Sequence, residues 1–375
     1  MKFTCDRSIL VKELSIANEV ISTKNVISIL SNVYLEATKG ELIIKATDLK
    51  VNLETRIPVE VKEEGSTTVF GEKFLGIINT IPDGEFEFEK KDNIIIIKPT
   101  AKRVKFQLRC IASEKYPEFP VYNKAKYFEI PIKNFKEMIN QTVFAVSDDE
   151  TRYYMNGVFL KKEENKLIMV ATDGRRLAYA EKTIDSNSDI EDFAGIIIPP
   201  KILNVLVKRS GDEGLIGISL TEKTIFIHFG SYKLSSILIE GQFPNYQRVI
   251  PESQEYSFVL NRQEVLDALK RVSLLVEHKS HRIYLLLSPG VITVSSSRED
   301  YGDEGDIGNA KEEIPCKYDG EEVSLALNYR YIEEPFKIMT EDEISVHFTE
   351  VARAITIKPI PEKDFFHIVM PMQLD

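Results

Sequence analysis

Apolar residues recur at helical spacing three times along this chain, each time just behind a short alternating strand. Ile9, Leu10, Leu14, Ala17 and Val20 follow the strand pattern of residues 2–5, with Asp6 placed to cap a helix over 6–24. The strand pattern of 127–130 leads into a helical pattern over 131–146. That of 256–260 leads into Val265, Leu266, Leu269, Val272 and Val276 behind Asn261, a helix over 261–279.

Hairpin patterns come after each helix. Glu-Leu-Ile-Ile-Lys-Ala-Thr-Asp at 41–48 matches Lys-Leu-Ile-Met-Val-Ala-Thr-Asp at 166–173, an offset of 125 residues, and 291–296 lies one residue from that register. A second strand and helix follow: 67–71 with 72–81, 195–198 with 199–209, and 323–327 with 328–339. Further strands close each repeat, clearest at 93–98, 105–110, 224–229 and 233–239. The closing segments Tyr116-Pro-Glu-Phe-Pro120, Phe243-Pro-Asn-Tyr246 and Met370-Pro-Met372 also rhyme. Solenoid repeats run about 20–50 residues, so self-similarity at this longer period points to tandem domains. Boundaries near Asn123 and Pro251 divide the chain into 1–123, 124–251 and 252–375. Strands that alternate apolar and polar, such as Phe86 and Phe88, fit antiparallel sheets covered by helices on one face. The expected class is α+β: three domains, each internally doubled.

Composition narrows the function. With 43% hydrophobic and 29% charged residues in 375, the chain is of ordinary globular make-up. Its apolar runs fall far short of the ~20 residues that a membrane helix needs, so no membrane association is expected. No apolar segment follows Met1 and Lys2, so a secretory leader is not expected either. Cys5, Cys110 and Cys316 are far apart, with no paired spacing for a disulfide framework or a zinc cluster. A cytoplasmic location follows.

The net charge of −11 argues against a protein that adheres to DNA over most of its surface. Its distribution alters that picture. The six helical segments hold fifteen Lys and Arg against ten Asp and Glu, whereas the rest of the chain holds 33 against 49. A basic helical surface on an acidic body could hold phosphates without reading sequence, although helices also tolerate Lys and Arg for their own sake.

Catalytic constellations are scarce. Asp148-Asp149-Glu150 and the acidic run 299–306 could bind Mg²⁺, but adjacent acids in a loop usually form a solvated surface. His278 and His281 lack a third ligand nearby, and Gly211–Gly217 lacks the Lys-Ser/Thr of a phosphate-binding loop. No catalytic residue, metal or cofactor is expected. A scaffold that never meets DNA is the other non-enzyme reading.

Five stretches carry a family resemblance: Met1-Lys-Phe-Thr4, Arg152-Tyr-Tyr-Met-Asn-Gly157, Ala171-Thr-Asp-Gly-Arg-Arg-Leu177, Gly241-Gln-Phe-Pro-Asn-Tyr246 and Met370-Pro-Met-Gln-Leu374. In these, and collinearly throughout, the chain closely resembles the bacterial DNA polymerase III beta subunit, the sliding clamp. The resemblance implies a head-to-tail homodimeric ring of pseudo-sixfold form, sheets outside and helices lining a hole that encircles duplex DNA without sequence preference. It implies a non-catalytic processivity factor, placed with the nucleoid at bacterial replication forks. The mechanism is tethering: a polymerase confined to its template rebinds at high effective concentration. A loader must open the ring with ATP bound elsewhere.

The resemblance also implies sites. DNA contacts would be Lys24, Tyr153, Tyr154 and Lys201, with Lys73 substituting beside Glu72. Asp149 and Glu72 depart from the Gln and Arg of some members, and their charge should repel phosphate. A pocket for a partner peptide bearing a Gln and apolar residues would use Met155, Thr172, Gly174, Arg175, Arg176, Leu177, Pro244, Arg248, Val249, Asn328, Tyr331, Val369, Met370, Pro371, Met372 and Leu374. Its partners would be the polymerase III alpha subunit, the clamp loader and other proteins with the motif. Leu177, Val249 and Met370 should form an apolar floor, while Arg176 and Asn328 orient polar atoms. Arg175 replaces a His of some members, and Asp375 follows the usual terminal Leu. Phe106 and Leu108 would meet Leu274 and Leu275 across the dimer contact, although by themselves all four read as core. Pro335 should kink the last helix or end it early.

Overall fold

The computed structural model describes residues 1–21, 28–120, 127–184, 193–297 and 308–374. The first repeat runs β1 (Lys2–Asp6), α1 (Arg7–Val20), β2 (Asn32–Thr38), β3 (Glu41–Thr47), β4 (Val51–Pro58), β5 (Glu60–Glu63), β6 (Gly65–Phe70), α2 (Gly71–Thr80), β7 (Glu85–Lys91), β8 (Ile94–Pro99) and β9 (Phe106–Ile111). The second runs β10 (Tyr127–Pro131), α3 (Ile132–Thr142), β11 (Val158–Glu163), β12 (Lys166–Thr172), β13 (Arg176–Thr183), β14 (Phe193–Ile198), α4 (Pro200–Arg209), β15 (Leu215–Leu220), β16 (Thr224–Phe229) and β17 (Tyr232–Ile237). The third runs β18 (Tyr256–Asn261), α5 (Arg262–Val272), β19 (Arg282–Ser288), β20 (Val291–Ser295), β21 (Lys311–Lys317), β22 (Val323–Asn328), α6 (Tyr329–Ile338), β23 (Glu343–Phe348), β24 (Ile355–Ile360) and β25 (Phe365–Val369).

Local chemistry starts the helices where the sequence places them. The Asp6 carboxylate accepts the Ser8 N–H at 2.7 Å, and Asn261 accepts the N–H groups of Gln263 and Glu264. Behind its cap, α1 buries Leu10, Leu14, Ile16, Ala17 and Val20 on one face. The ends differ from the sequence reading. The α1 helix stops at Val20 because Ile21 turns to extended backbone, its N–H held by the Ala17 carbonyl. Likewise α5 stops at Val272 and passes into a short turn over Ser273–Leu275. Pro335 neither ends α6 nor stops its continuation to Ile338, and its carbonyl accepts the Met339 N–H at 3.1 Å. Its ring is buried, and the lost hydrogen bond is a local matter in a ten-residue helix.

The chain divides into two bodies, each with its own antiparallel sheet. The first comprises Met1–Phe135 and Ile198–Leu238; the second comprises Lys136–Ser186, Glu191–Ile197 and Ile239–Asp375. The first sheet has 13 strands in the order β10-β15-β16-β17-β4-β3-β2-β6-β9-β8-β7-β1-β5. The second has 12, in the order β14-β11-β12-β13-β25-β24-β23-β18-β21-β20-β19-β22. Alternation decides which side chains go inside: in β1, Phe3 and Cys5 are buried, and Phe3 stacks on Phe88 at 4.6 Å.

Both sheets run across a repeat boundary. In the first, β17 pairs with β4, with Leu234 opposite Leu53 and Ser235 opposite Asn52. In the second, β25 pairs with β13, from Arg176 opposite Val369 to Ala180 opposite Phe365. These are equivalent joints, since β17 and β25 close their repeats while β4 and β13 end the first hairpins of theirs. Two equivalent edges stay open among the described residues. Strand β9 meets β6 only at Cys110 and Ile111, leaving Phe106–Arg109 paired with β8 alone. Strand β21 meets β18 only at Cys316 and Lys317, leaving Lys311–Pro315 paired with β20 alone.

Candidate functional site

The turn between β12 and β13 is built by its own side chains. Asp173 Oδ1 accepts the N–H groups of Arg175 at 2.8 Å and Arg176 at 3.0 Å. Thr172 Oγ1 accepts the Gly174 N–H and donates to the Arg176 carbonyl. Gly174 has φ +87°, and a Cβ there would lie 2.9 Å from Arg152 Nη1. The first repeat copies this turn: Thr47 Oγ1 accepts from Leu49, and Asp48 Oδ1 accepts from Lys50 and Val51.

Arg176 is held on all sides. Its Nε donates to Asp173 Oδ2 at 3.1 Å, Nη1 pairs with Glu334, and Nη2 donates to the Phe144 carbonyl at 2.7 Å. The Tyr331 and Phe144 rings lie 4.7 and 5.4 Å from the guanidinium carbon. Burial, with the Asp173 charge adding, raises the Tyr331 phenol above its ordinary value; Arg176 and Arg175 oppose that shift. Behind Arg176, His367 is buried, with Nε2 at 3.1 Å from Gln141 Oε1. Burial first, and the Arg176 charge second, push its pKa down to about 3, so the ring is neutral.

The segment after β25 is tied to this turn. The Met370 N–H donates to the Arg175 carbonyl, and the Met372 N–H to the Ala326 carbonyl, both at 2.8 Å. Val369 is buried, Met370 is exposed, and Pro371, Met372 and Leu374 are half-buried. Val249 is 49% exposed at the end of a short helical turn, with Arg248 exposed beside it and Pro244 half-buried before it. Met155 is buried, its carbonyl accepting the Ser147 N–H.

Leu177 is buried, in the core with Ile168, Val170, Ile197, Phe243, Tyr246 and Ile368, whereas Val249 and Met370 are exposed. Arg176 and Asn328 serve the fold, Arg176 as above and Asn328 by capping α6 through the Arg330 N–H at 3.0 Å. Asp375 lies outside the described residues.

Of the residues expected to face DNA, Lys24 also lies outside the described residues. Tyr153 is exposed and Tyr154 half-buried, edge to face at 5.9 Å, on the turn Glu150–Met155. Asp149 caps that turn through the Thr151 N–H and hydroxyl and pairs with Arg152 Nε at 2.9 Å. These bonds, Thr151 foremost, hold its carboxyl below the ordinary range, and its charge is offset by Arg152. The repulsion expected of Asp149 is weakened accordingly. Glu72 and Lys73 are exposed, with their charged atoms 3.7 Å apart.

The observed helices keep an excess of thirteen Lys and Arg over eight Asp and Glu, and α4 alone holds three cations and no acid. All three α4 cations have partners on the chain. Lys201 Nζ lies 2.6 Å from both Asp48 Oδ2 and the Val20 carbonyl, Lys208 pairs with Glu19, and Arg209 donates to the Lys12 carbonyl.

On the open edge of β9, Phe106 and Leu108 are half-buried and alternate with exposed Gln107 and Arg109. Leu274 is 79% exposed and Leu275 half-buried, on the turn after α5 rather than on the helix. The acidic run 299–306 lies outside the described residues; among those described, no three or more His, Cys, Asp or Glu side chains converge to hold a metal. No helix among them is long and apolar enough to cross a membrane.

Three family models match the chain in tandem: the DNA polymerase III beta subunit N-terminal domain over residues 1–120, its central domain over 129–245 and its C-terminal domain over 247–373. The beta sliding clamp of Treponema pallidum is 46% identical over 375 residues, covering all of both chains. The chain belongs to the DNA polymerase III beta subunit family.

The beta sliding clamp of Rickettsia bellii is 30% identical, again over the whole of both chains. Among solved beta subunits, the Pseudomonas aeruginosa sliding clamp bound to griselimycin aligns with a TM-score of 0.89 at 26% identity, and the Bacillus subtilis sliding clamp with 0.88 at 26%, both chains fully covered each time. The beta subunit family is the sliding clamp, the non-catalytic processivity subunit of the polymerase. Sequence reasoning about this beta subunit missed Phe144, Glu334 and His367, which surround Arg176. One signal was available for Glu334: it follows Tyr331 by three residues on a helix, so both face the same neighbour.

Proposed function

We propose that two copies of this beta subunit close head to tail into a ring around duplex DNA, which slides while its outer pocket tethers replication proteins. The open edges carry the argument. Among the described residues, each chain makes two equivalent joints internally, β17 on β4 and β25 on β13, and leaves most of the equivalent edges β9 and β21 unmatched. Pairing β9 of one copy with β21 of the next continues the series, and a heterologous contact of this kind closes a ring. The exposure of Leu274 supports the match.

Grip on the duplex is topological. With a net charge of −11 and the α4 cations engaged with α1 and the turn after β3, adhesion is weak and sliding is easy. Lys73, Tyr153 and Tyr154 are exposed enough to touch the backbone or an unpaired base, and Lys24 belongs with them by resemblance. The pocket runs from Thr172–Leu177 past Val249 to Met370–Leu374 and takes a short motif with a Gln and apolar residues, carried by the polymerase alpha subunit, the clamp loader and others. The clamp acts in the bacterial cytoplasm at replication forks. Tethering replaces dissociation into bulk by rebinding at an effective concentration on the order of millimolar.

The test loads the protein on nicked circular DNA and then linearises it. A ring falls off the free ends, whereas a protein that adheres stays on, and staying on overturns the proposal. Leu274→Asp should reduce the sedimenting mass to that of a single chain and abolish retention on circles; an unchanged mass rules out the proposed contact.

A further inference from the structure

We propose that Glu334 is a positioning residue of the partner-peptide site: it holds the Arg176 guanidinium against the Phe144 and Tyr331 rings, which fixes the turn Asp173–Arg176 and withholds that cation from the peptide. The proposal rests on the pocket reading above.

A guanidinium has five N–H donors in a planar fork and two ring-accepting faces. Here the nitrogens go to Asp173, Glu334 and the Phe144 carbonyl, the Phe144 and Tyr331 rings lie 5.4 and 4.7 Å from the guanidinium carbon, and the side chain is only 11% exposed. Three elements therefore converge on one side chain: the turn itself, the segment Val143–Ala145 and α6. Two of the four residues that hold it, Tyr331 and Glu334, come from one face of α6. Glu334 is itself 38% exposed, so it adds little to the core. It balances a charge that would otherwise sit nearly buried beside Asp173 alone.

The neighbouring Arg175 is placed oppositely. It is exposed and has no carboxylate partner among the described residues, while its carbonyl anchors Met370. The site thus divides two adjacent arginines between two tasks, one shaping the turn and one lying exposed at the rim, where its side chain reaches the Tyr331 phenol. Without Glu334, Arg176 is free to leave the two rings. The Arg175 carbonyl then loses its fixed position, and a second cation joins the rim.

The experiment measures binding of two fluorescent peptides, one of Gln and apolar residues and one with a single added Asp, to the full-length protein at several salt concentrations. Glu334→Gln should weaken the neutral peptide about tenfold, shift preference toward the Asp peptide and steepen the salt dependence. Glu334→Asp should restore most of the affinity, and Glu333→Gln, whose parent pairs with Lys337 at 2.8 Å, should change nothing. Unchanged affinity and preference in Glu334→Gln overturn the proposal, as does an equal loss for both peptides at unaltered salt dependence. If Val249→Ala with Met370→Ala leaves peptide binding untouched, the pocket reading fails and takes the proposal with it. If that pair weakens binding and Glu334→Gln does not, only the role of Glu334 falls.

Discussion

Lys201 Nζ lies 2.6 Å from the Asp48 carboxylate, so a side chain from the second helix of the second repeat is bound to the turn after β3 in the first. The same ammonium donates to the Val20 carbonyl at the end of α1. The resemblance implies a DNA contact for Lys201; in the structure it fastens two repeats together.

Lys201→Ala should therefore act on stability before it acts on DNA. The expected loss is about 1 kcal/mol, modest because the pair is partly exposed. Burial alone would raise the Asp48 carboxyl, but the Lys201 hydrogen bond, the Val51 and Lys50 N–H groups and the Lys201 charge together hold it below its ordinary value. A depressed carboxyl stabilises the fold above its unfolded pKa of about 3.9 and ceases to do so as pH falls through the lower folded value. Part of the acid-side loss of stability should disappear in Lys201→Ala. An unchanged melting temperature with shortened retention on circular DNA would return Lys201 to the DNA-contact role.

Gly174→Ala should destabilise the second body by about 1–2 kcal/mol. Part comes from the left-handed backbone, part from the Arg152 guanidinium in the way of the new methyl. Adding Arg152→Ala tests the second part. The double variant should be more stable than the sum of the two single losses implies, and strict additivity in thermal unfolding would exclude the clash.

His367 makes stability depend on pH on the acid side of neutrality. Its folded pKa is near 3 and its unfolded one about 6.5, so below about 6.5 the unfolded chain binds a proton that the folded chain refuses. Stability should fall as pH drops from that point, by up to about 1.4 kcal/mol per pH unit. Denaturant unfolding at several pH values should show a shallower slope for His367→Asn than for the parent; equal slopes refute the assignment.

Leu177 and Met370, neighbours in the expected pocket, should separate in behaviour. Leu177→Ala empties a core position and should cost about 2–5 kcal/mol of stability. Met370→Ala alters an exposed side chain and should stay within about 0.5 kcal/mol while weakening peptide binding. Unfolding curves beside peptide titrations check both, and a large stability loss in Met370→Ala contradicts the reading.

What was legible in the sequence was local or periodic. The strand and helix order of each repeat could be read because apolar spacing and the caps Asp6 and Asn261 act within a few residues. The repeat itself showed in one matched octapeptide and in the recurring order of strands, helices and closing segments. Helix ends were less legible: nothing in the pattern of residues 6–24 says that Ile21 turns to extended backbone. Lys201 with Asp48 and Arg176 with Glu334 were invisible, since no periodicity relates side chains 153 and 158 positions apart. For that reason both cations read as available to a ligand. The pocket was legible only through resemblance, and resemblance could not tell that Leu177 faces inward while Met370 faces out.

The seams between repeats are ladders of main-chain hydrogen bonds, two of them bridged by chain that continues from one side to the other. A third seam of the same material between separate copies would differ from those two in one respect. Nothing covalent spans it, so when it parts its sides diffuse away, whereas the others snap back. A band made of such pieces has its clasp decided in advance: it unfastens where one molecule ends and the next begins.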